Sequence, residues 1–520
     1  MEVNVTQDKN FFPFSESPLW DINVNYYQEH GLEAWRSELV PHQSSSNSRV
    51  AKTNAELILG YLKDLAFQGK TSDTVYIVEL GAGHGRLAYH ILKHLDRLIG
   101  LTNVEVPQYC YVLTDIVESN LDYFLNHPQF EDYLASGKLD VSFFNGVSSE
   151  ELNLRYAKQT ITKGSVNQSI IVIANYFFDS IPTDLFFINE DKLYACDVAL
   201  YNSISDEDKR EKGSINKIKL EYINREVKAD HYSNQDYNKI MQSYKSSLKE
   251  SHIYFPRVGI ECINMIRGFT TDGLMLISLD KGHHEIGALQ NIGVPDLVIH
   301  GSFSIWVNFH ALAAYCKMQD GFAYVPSFAT NALQCVCLLF DDNHLSFDEV
   351  NNAYERFVND FGPDDYITLK KMSYDKIATL STEDLIAMLR LSNYDSTIFI
   401  NYLPRFKQLA TDLSIGDRRR LAQTMHKVWD MYFTIHEPFD LPFELGGLFF
   451  DLAFYQEAKF YFEQSIKLFG TKPDSYYNIA LCHYQLREDA ELVSLIQKAK
   501  LEFPSYKRLA DLDKLNLEAT

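Results

Sequence analysis

The chain has 520 residues, of which 46% are hydrophobic and 23% charged, and its formal net charge at pH 7 is −22. This apolar fraction is ordinary for a globular protein and excludes an intrinsically disordered chain. At roughly 100–200 residues per domain, the length predicts several domains. An acidic protein repels phosphate backbones and anionic lipid, so we expect neither a nucleic acid nor a membrane as partner, although a local basic groove is compatible with this composition.

Localisation signals and cysteine usage point to one compartment. No stretch approaches the roughly 18 successive apolar residues of a membrane span, and the first twenty residues lack the pattern of a secretory or mitochondrial signal. The seven cysteines are scattered and form no Cys-x-x-Cys pair, which argues against a disulfide framework and a zinc site. We therefore expect buried, reduced thiols, no bound metal and a cytoplasmic location.

From residue 54 to residue 340, short apolar runs alternate with stretches of helical periodicity. This alternation predicts a Rossmann-like, doubly wound and mostly parallel sheet with covering helices. A polar stretch at about 203–235 holds few large apolar side chains, and we expect it to be an insertion beside the sheet. The runs predicted to be strands are 75–80, 109–114, 141–144, 170–174, 274–279 and 333–340.

A glycine-rich loop follows the first of these strands. The strand ends at Glu79, and Gly81, Gly83 and Gly85 precede an amphipathic helix. Glycines at this place permit a tight turn and let a ligand approach the backbone closely. A dinucleotide site needs Gly-x-Gly-x-x-Gly instead, and the acid would repel a pyrophosphate but suits a cofactor with a cationic end. The pattern predicts a cofactor-binding loop, with a purely structural turn as the alternative.

The second predicted strand is followed by Asp115. A carboxylate at the end of this strand can accept hydrogen bonds from both ribose hydroxyls of an adenosine. NAD would be served by the same acid, so Asp115 alone does not identify the cofactor. Taken with Glu79 and the glycine spacing, the pattern resembles a class I S-adenosylmethionine-dependent methyltransferase, which implies S-adenosyl-L-methionine as the cofactor.

The fourth predicted strand delivers Asn175, Tyr176 and Asp179 to the carboxyl edge of the sheet, where open α/β folds bind ligands. The methyltransferase resemblance implies that this edge faces the transferred methyl group. An amide carbonyl or a carboxylate there can hold a nucleophilic nitrogen in line with that group. We therefore predict these three residues to be catalytic.

A structural role is the alternative for the same segment. Phe177 and Phe178 are better explained as core residues than as part of a site. For Asn175 and Asp179 both interpretations stay open, because Asp179 would also suit the cap of a helix whose first turn holds Pro182.

After residue 340 the sequence is helical throughout, with a connecting region at 341–437, a repeat at 438–510 and a tail at 511–520. The repeat has a spacing of 34 residues and resembles the tetratricopeptide repeat, in which small residues let two helices approach closely. A generic helical bundle is the alternative. Stable stacks need three or more units, so residues 402–437 would complete this one. The aligned pairs are Leu445 with Ile479, Gly446 with Ala480, Phe449 with His483, Ala458 with Leu492, Phe462 with Ile496, and Ser465 with Ala499.

The order of the motifs makes the resemblance narrower. ELGAGHG at 79–85, TDIVESN at 114–120, NYFFDSIP at 175–182, LDKG at 279–282 and SIWVNFHAL at 304–312 are similar to the MidA-like methyltransferases. That family includes a mitochondrial arginine methyltransferase that assists complex I assembly. The similarity spans about residues 20–340, and it implies that Asp280 and Gly282 belong to a shared motif.

Four positions depart from the family pattern. Tyr176 replaces a glutamate, Asn308 an aspartate, Trp306 a histidine and Lys281 a tyrosine. Two acids are therefore missing from the acceptor pocket that the resemblance implies, although carboxylates are the natural partners of a guanidinium. The cofactor and the reaction class carry over, whereas the arginine acceptor does not.

The sequence thus predicts an enzyme of class EC 2.1.1.-. Its methyltransferase-like domain is expected at 1–340 and is followed by an all-α repeat domain. The repeats would recruit a protein or peptide acceptor. The alternative is a methyltransferase-like scaffold that has lost turnover and whose repeats mediate protein–protein interaction. The oligomeric state cannot be read from the sequence.

Overall fold

The computed structural model contains two compact units, Met1–Ile367 and Thr368–Thr520. Residues 203–217 of the expected insertion and the expected tail at 511–520 lie outside the described residues. The described residues are 10–37, 46–202, 218–228, 230–295, 298–300, 302–328, 333–341 and 347–508.

The first unit is built on a seven-stranded sheet, and all six predicted strands belong to it, which confirms those predictions. Phe322–Tyr324 is an additional strand, too short to show a periodic pattern in the sequence. In chain order the strands are β1 (Val75–Glu79), β2 (Tyr109–Asp115), β3 (Leu139–Phe143), β4 (Ile170–Asn175), β5 (Leu274–Asp280), β6 (Phe322–Tyr324) and β7 (Gln334–Phe340).

The order of the strands determines where a ligand can bind. In space the order is β3-β2-β1-β4-β5-β7-β6, and the first five strands are parallel while β7 runs antiparallel to both of its neighbours. The chain reverses its direction across the sheet between β1 and β4, and open α/β sheets bind ligands outside the carboxyl ends of their strands at such a point. The prediction of an α/β region followed by an all-helical region is confirmed.

Helices connect and cover these strands. The helix that follows β1 begins one residue after Gly85 and buries Leu87, Ile91 and Leu95 at a spacing of four residues, which is one face of an α-helix. The helices of the first unit are Leu19–His30, Glu33–Arg36, Ser48–Phe67, Arg86–Ile99, Glu118–Asn126, Glu131–Ala135, Gln235–Ser247, Arg257–Arg267, Phe309–Met318 and Asp348–Tyr354. Pro363–Tyr374 contains the boundary between the units.

A second, antiparallel sheet uses part of the polar stretch. Ile218–Val227 pairs along its length with Lys192–Asn202, and Leu220 and Tyr222 pack against a core cluster that includes Trp20. A half-buried strand needs apolar side chains only at alternate positions, so a mostly polar composition concealed it. The strands of this sheet are Phe12–Pro13, Asp184–Asn189, Lys192–Asn202, Ile218–Val227 and Glu250–Phe255.

The cysteines behave as expected. All seven belong to the described residues, and all are buried with free thiols. Burial raises the pKa of Cys110 to about 12, so this thiol stays protonated and unreactive at neutral pH. Within the described ranges no group of three or more histidine, cysteine or acidic side chains is arranged to hold a metal ion. No helix in that part of the chain combines the length and apolar character needed to cross a bilayer.

The second unit is helical, and the 34-residue alignment coincides with two helix pairs. Every one of the twelve aligned residues is buried. The close approach needed at a small position is visible at Gly446, where a Cβ would lie 2.7 Å from the ring of Phe462 on the neighbouring helix. The helices are Thr382–Leu391, Ser396–Leu409, Ile415–Asp430, Leu441–Asp451, Tyr455–Phe469, Pro473–Leu486 and Asp489–Glu502.

Two adjacent glycines of one helix allow this packing to be tested. Gly446→Ala forces a methyl group against Phe462, and we expect a loss of about 1–3 kcal/mol in the free energy of unfolding of the second unit. Gly447→Ala is the matched control, because no atom lies within 4 Å of its Cβ and alanine has the higher helix propensity, worth up to ~1 kcal/mol. Urea unfolding followed by circular dichroism measures both, and equal stabilities would contradict the close approach.

Candidate active site

A cavity of about 520 Å³ lies against the loops that follow β1 to β5. Its volume is in the range of small-molecule and cofactor sites. Seven of the eight residues predicted for the site line it, and Gly85 is the exception. The seven are Glu79, Gly81, Gly83, Asp115, Asn175, Tyr176 and Asp179.

The glycine loop has the backbone conformation that only glycine adopts readily. Gly81, Gly83 and Gly85 have φ values of 64°, 62° and 77°. A Cβ at Gly83 would lie 2.9 Å from the indole of Trp35, which also lines the cavity. A Cβ at Gly85 would lie 3.0 Å from the ring of Phe124. Glycine is needed at position 83 because the backbone there lies against Trp35 in the cavity wall. Glycine is needed at position 85 because the start of the following helix packs against Phe124.

Glu79 places a buried carboxyl group at the end of β1. Its side chain is 3% exposed, and the hydroxyl of Tyr111 donates a hydrogen bond to Oε2 over 2.9 Å. Burial raises the pKa of Glu79 to about 8, although the hydrogen bond from Tyr111 opposes this shift. A cationic ligand would stabilise the ionised form of this buried acid, because its charge replaces the solvation that the carboxylate has lost.

Asp115 ties the end of β2 to the glycine loop. Its carboxylate accepts hydrogen bonds from the backbone N–H groups of Gly83 (2.9 Å) and Val117 (2.8 Å) and from the Asn120 amide (3.3 Å). Burial raises the pKa of Asp115 to about 6, and these hydrogen bonds counteract the rise. Asp115 therefore fixes the shape of the loop and lines the cavity at the same time.

The segment after β4 combines core residues with a strained backbone. Phe177 and Phe178 are 8% and 3% exposed and belong to the hydrophobic core, which confirms the prediction for Phe178, whereas Phe177 also lines the cavity. Asn175 ends the strand, and Tyr176 has a φ of 52° while its backbone N–H donates to the carbonyl of Leu279 over 2.9 Å. A bulky residue in the left-handed region is strained, and such strain is concentrated at functional sites.

Asp179 does not cap a helix. The chain turns after β4 and continues into the strand Asp184–Asn189, so the helix-cap alternative for Asp179 is wrong. The side chain is 4% exposed, and within the described structure its Oδ1 has no hydrogen-bond partner. Burial raises the pKa of Asp179, and the nearby charge of Lys281 limits the rise.

Two expected acceptor positions lie elsewhere. Asn308 caps the helix that follows it, and its side-chain oxygen accepts from the backbone N–H of Ala311 over 3.0 Å. The indole of Trp306 stacks on His283, with ring centroids 5.1 Å apart. Neither Asn308 nor Trp306 lines the cavity. The expectation that two acids are missing from the acceptor pocket is therefore wrong for Asn308 and applies only to Tyr176.

Aromatic residues near the amino terminus complete the cavity wall, although no motif in the sequence predicted a role for them in the site. Trp20 and Tyr27 come from the helix Leu19–His30, and the ring of Tyr27 stacks on that of Trp35 at 5.7 Å. The hydroxyl of Tyr27 forms a 2.9 Å hydrogen bond with the hydroxyl of Ser302. An excess of aromatic residues in this short segment was the one available signal.

The chain belongs to a protein family. Residues 60–322, just over half of the chain, match a family described as "Putative S-adenosyl-L-methionine-dependent methyltransferase". The cofactor of this protein class is S-adenosyl-L-methionine, as the glycine loop and the two acids had predicted. No curated protein matches the chain.

Two solved structures from Burkholderia thailandensis are similar to this chain. One is a native crystal structure of an uncharacterized protein, 14% identical, with a TM-score of 0.36 over 58% of this chain and 69% of the other. The second, a member of the same superfamily bound to S-adenosyl-homocysteine, is 15% identical, with a TM-score of 0.36 over 58% of this chain and 70% of the other.

The buried carboxyl of Glu79 should make stability depend on pH. The folded chain binds this proton more tightly than the unfolded chain, so the contribution of the neutral form is present below about pH 4.5 and is lost as pH rises through about 8. Glu79→Gln removes this loss, which amounts to at most ~1.4 kcal/mol per pH unit. We expect the variant's advantage in unfolding free energy over the unmodified chain to grow between pH 5 and 8. Glu131→Gln, at an exposed position, is the control. A difference in unfolding free energy between Glu79→Gln and the unmodified chain that does not change with pH would contradict the raised pKa of Glu79.

Gly83 and Gly164 allow strain and steric exclusion to be separated. Both have positive φ values, but no atom lies within 4 Å of a Cβ at Gly164, which does not line the cavity. We expect Gly83→Ala to weaken S-adenosylmethionine binding at least tenfold, because the methyl group must displace Trp35. Gly164→Ala should leave the affinity unchanged. Isothermal titration calorimetry measures both, and equal affinities would exclude a contact between this loop and the cofactor.

Proposed function

We propose that this chain is an active methyltransferase of class EC 2.1.1.-, with a Rossmann-like class I fold of the MidA type, which methylates a protein or peptide. One observation carries the proposal: a single cavity contains both the glycine loop with its two acids and the side chains after β4. Cofactor and acceptor must meet in one enclosed space for methyl transfer, because the rate depends on alignment of the nucleophile with the methyl group.

The residues at one end of the cavity suit S-adenosylmethionine. Gly83 offers a wall that carries no side chain, and Glu79 offers a buried carboxyl group that a cationic ligand would stabilise. Asp115 would accept hydrogen bonds from the ribose hydroxyls while it holds the loop through Gly83. When bound, the cofactor supplies a methyl group on a positively charged sulfur.

The residues after β4 would position the acceptor. Asn175, Tyr176 and Asp179 line the same cavity as the glycine loop, and Asp179 has an oxygen atom with capacity for a further hydrogen bond. In this arrangement Asn175 and Asp179 would orient the nucleophile, and Tyr176 would contribute its hydroxyl group where the family has a carboxylate.

The second unit would recruit the substrate. Its two helix pairs share buried small and apolar positions at a 34-residue spacing, which supports tetratricopeptide-like repeats, and such repeats bind peptide segments. The net charge of −22 disfavours nucleic acid and anionic membranes as partners. The seven buried, free thiols are typical of a reducing compartment, and we propose a cytoplasmic location.

A scaffold without turnover is the second candidate. Tyr176 favours it, because this residue lies in the cavity at the position where the resembled motif has a glutamate. A scaffold of this kind would keep cofactor binding and would act through its helical repeats.

Asp115→Ala tests the cofactor assignment. Removing a carboxylate that accepts two ribose hydroxyl hydrogen bonds, each worth about 1.5–3 kcal/mol, should weaken S-adenosylmethionine binding at least ~100-fold. The exposed Asp122→Ala is the matched control, and calorimetry of the full chain measures both affinities. Unchanged binding by Asp115→Ala would refute the site. Binding by the unmodified chain without transfer of a labelled methyl group to any protein acceptor would favour the scaffold.

A further inference from the structure

Two residues of opposite charge, Asp179 and Lys281, line the cavity, and the charge of Lys281 influences the Asp179 carboxyl group. The carboxyl oxygens of Asp280 accept the backbone N–H groups of Asp179 (3.3 Å) and Lys281 (2.7 Å). Residues 305–307 form hydrogen bonds with the same two residues. The backbone N–H of Ile305 donates to the carbonyl of Asp179 (3.1 Å), and the backbone N–H of Val307 donates to the carbonyl of Lys281 (2.9 Å). Two hydrogen bonds to the Asp280 side chain and two between backbone groups therefore fix the backbone of Asp179 and Lys281, and both residues line the cavity.

The Asp179 carboxyl group is built to receive a donor. It is 4% exposed, and Oδ1 has no hydrogen-bond partner in the described part of the chain. A buried acceptor without a partner costs about 1–3 kcal/mol, which a ligand that donates a hydrogen bond recovers. The Lys281 ammonium influences this carboxyl group through its charge but does not donate to Oδ1.

Asp179 and Lys281 together fit a ligand that carries both a hydrogen-bond donor and a hydrogen-bond acceptor. A carboxylate can only accept hydrogen bonds and an ammonium can only donate them. A primary carboxamide matches both, because its N–H and C=O groups lie in one plane on the same carbon. A guanidinium has donors only and would meet Lys281 as a like charge.

We propose that the methyl acceptor is a primary carboxamide of a protein or peptide, which donates an N–H to Asp179 and accepts a hydrogen bond from Lys281. The inference rests on the proposed function and specifies its substrate. Lys281 then determines specificity, since its charge acts on Asp179 and would repel a cationic acceptor.

The same arrangement accounts for the proton that the reaction releases. Methylation of the amide nitrogen forms a C–N bond and breaks the C–S bond, whose electron pair stays on the sulfur of S-adenosylhomocysteine. The nitrogen loses one proton, which the Asp179 carboxylate takes and then passes to water. Burial raises the pKa of Asp179, which favours uptake of this proton by its carboxylate.

Binding of matched peptides tests the proposal. The full chain is saturated with S-adenosylhomocysteine and titrated calorimetrically with three acetylated tripeptides that carry a free carboxyl terminus and differ only in a central Gln, Arg or Glu. Glu has the shape of Gln but lacks the donor for Asp179. We expect the Gln peptide to bind at least tenfold more tightly than the other two.

Lys281→Met keeps much of the length of the side chain and removes its charge. We expect this variant to lose the tenfold preference for Gln over Arg, whereas the exposed Lys163→Met should retain it. S-adenosylhomocysteine binding by each variant shows that its first unit is folded.

Several results would overturn the proposal: tighter binding of the Arg or Glu peptide, no binding of any peptide to the loaded chain, or an unchanged preference in Lys281→Met. Failure of S-adenosylhomocysteine itself to bind would refute the proposed function, and the carboxamide assignment would fall with it.

Discussion

The hydrogen bond from the backbone N–H of Gly83 to the carboxylate of Asp115 is the contact on which the rest of the site depends. It joins the loop after β1 to the end of β2 and holds Gly83 where Trp35 covers it. A Cβ at position 83 would lie 2.9 Å from the indole, so a residue with a side chain there would have to displace Trp35. The geometry of the loop therefore depends on the Asp115 carboxylate and on the absence of a side chain at Gly83, together with the positive φ values of Gly81 and Gly85.

The carboxyl edge of the sheet concentrates acids that solvent does not stabilise. Glu79, Asp115, Asp179 and Asp280 are all at most 4% exposed, and burial raises the pKa of each. Hydrogen bonds from backbone N–H groups stabilise Asp115 and Asp280, whereas Glu79 receives one hydroxyl group. The fold stays stable because the strands beneath this edge are buried and apolar. A ligand can therefore gain most binding energy at Glu79 and Asp179, the two acids with the fewest hydrogen bonds from the protein.

Much of the fold and part of the site could be predicted from the sequence. Buried strands such as Ile170–Asn175 are continuous apolar runs, and the positive φ values at Gly81 and Gly83 follow from the spacing of the glycines. Ile218–Val227 was hidden because half of its residues are polar or charged and the alternation of apolar residues stops at Tyr222. Asn308 was misassigned because a motif shows which residue types recur but not whether a side chain faces a ligand or caps a helix. The contribution of Trp35 depends on a contact between distant parts of the chain.

The hydrogen bond between Tyr27 and Ser302 joins residues 275 positions apart, and both residues line the cavity. Contacts of such long sequence separation form late, because the intervening chain must first be ordered. During synthesis the amino-terminal aromatic residues emerge early but have no cavity to cover until residues near 302 have left the ribosome. Until then Trp20 lacks Phe303, on which its ring packs at a centroid distance of 5.1 Å, and Tyr27 lacks its hydrogen-bond partner Ser302.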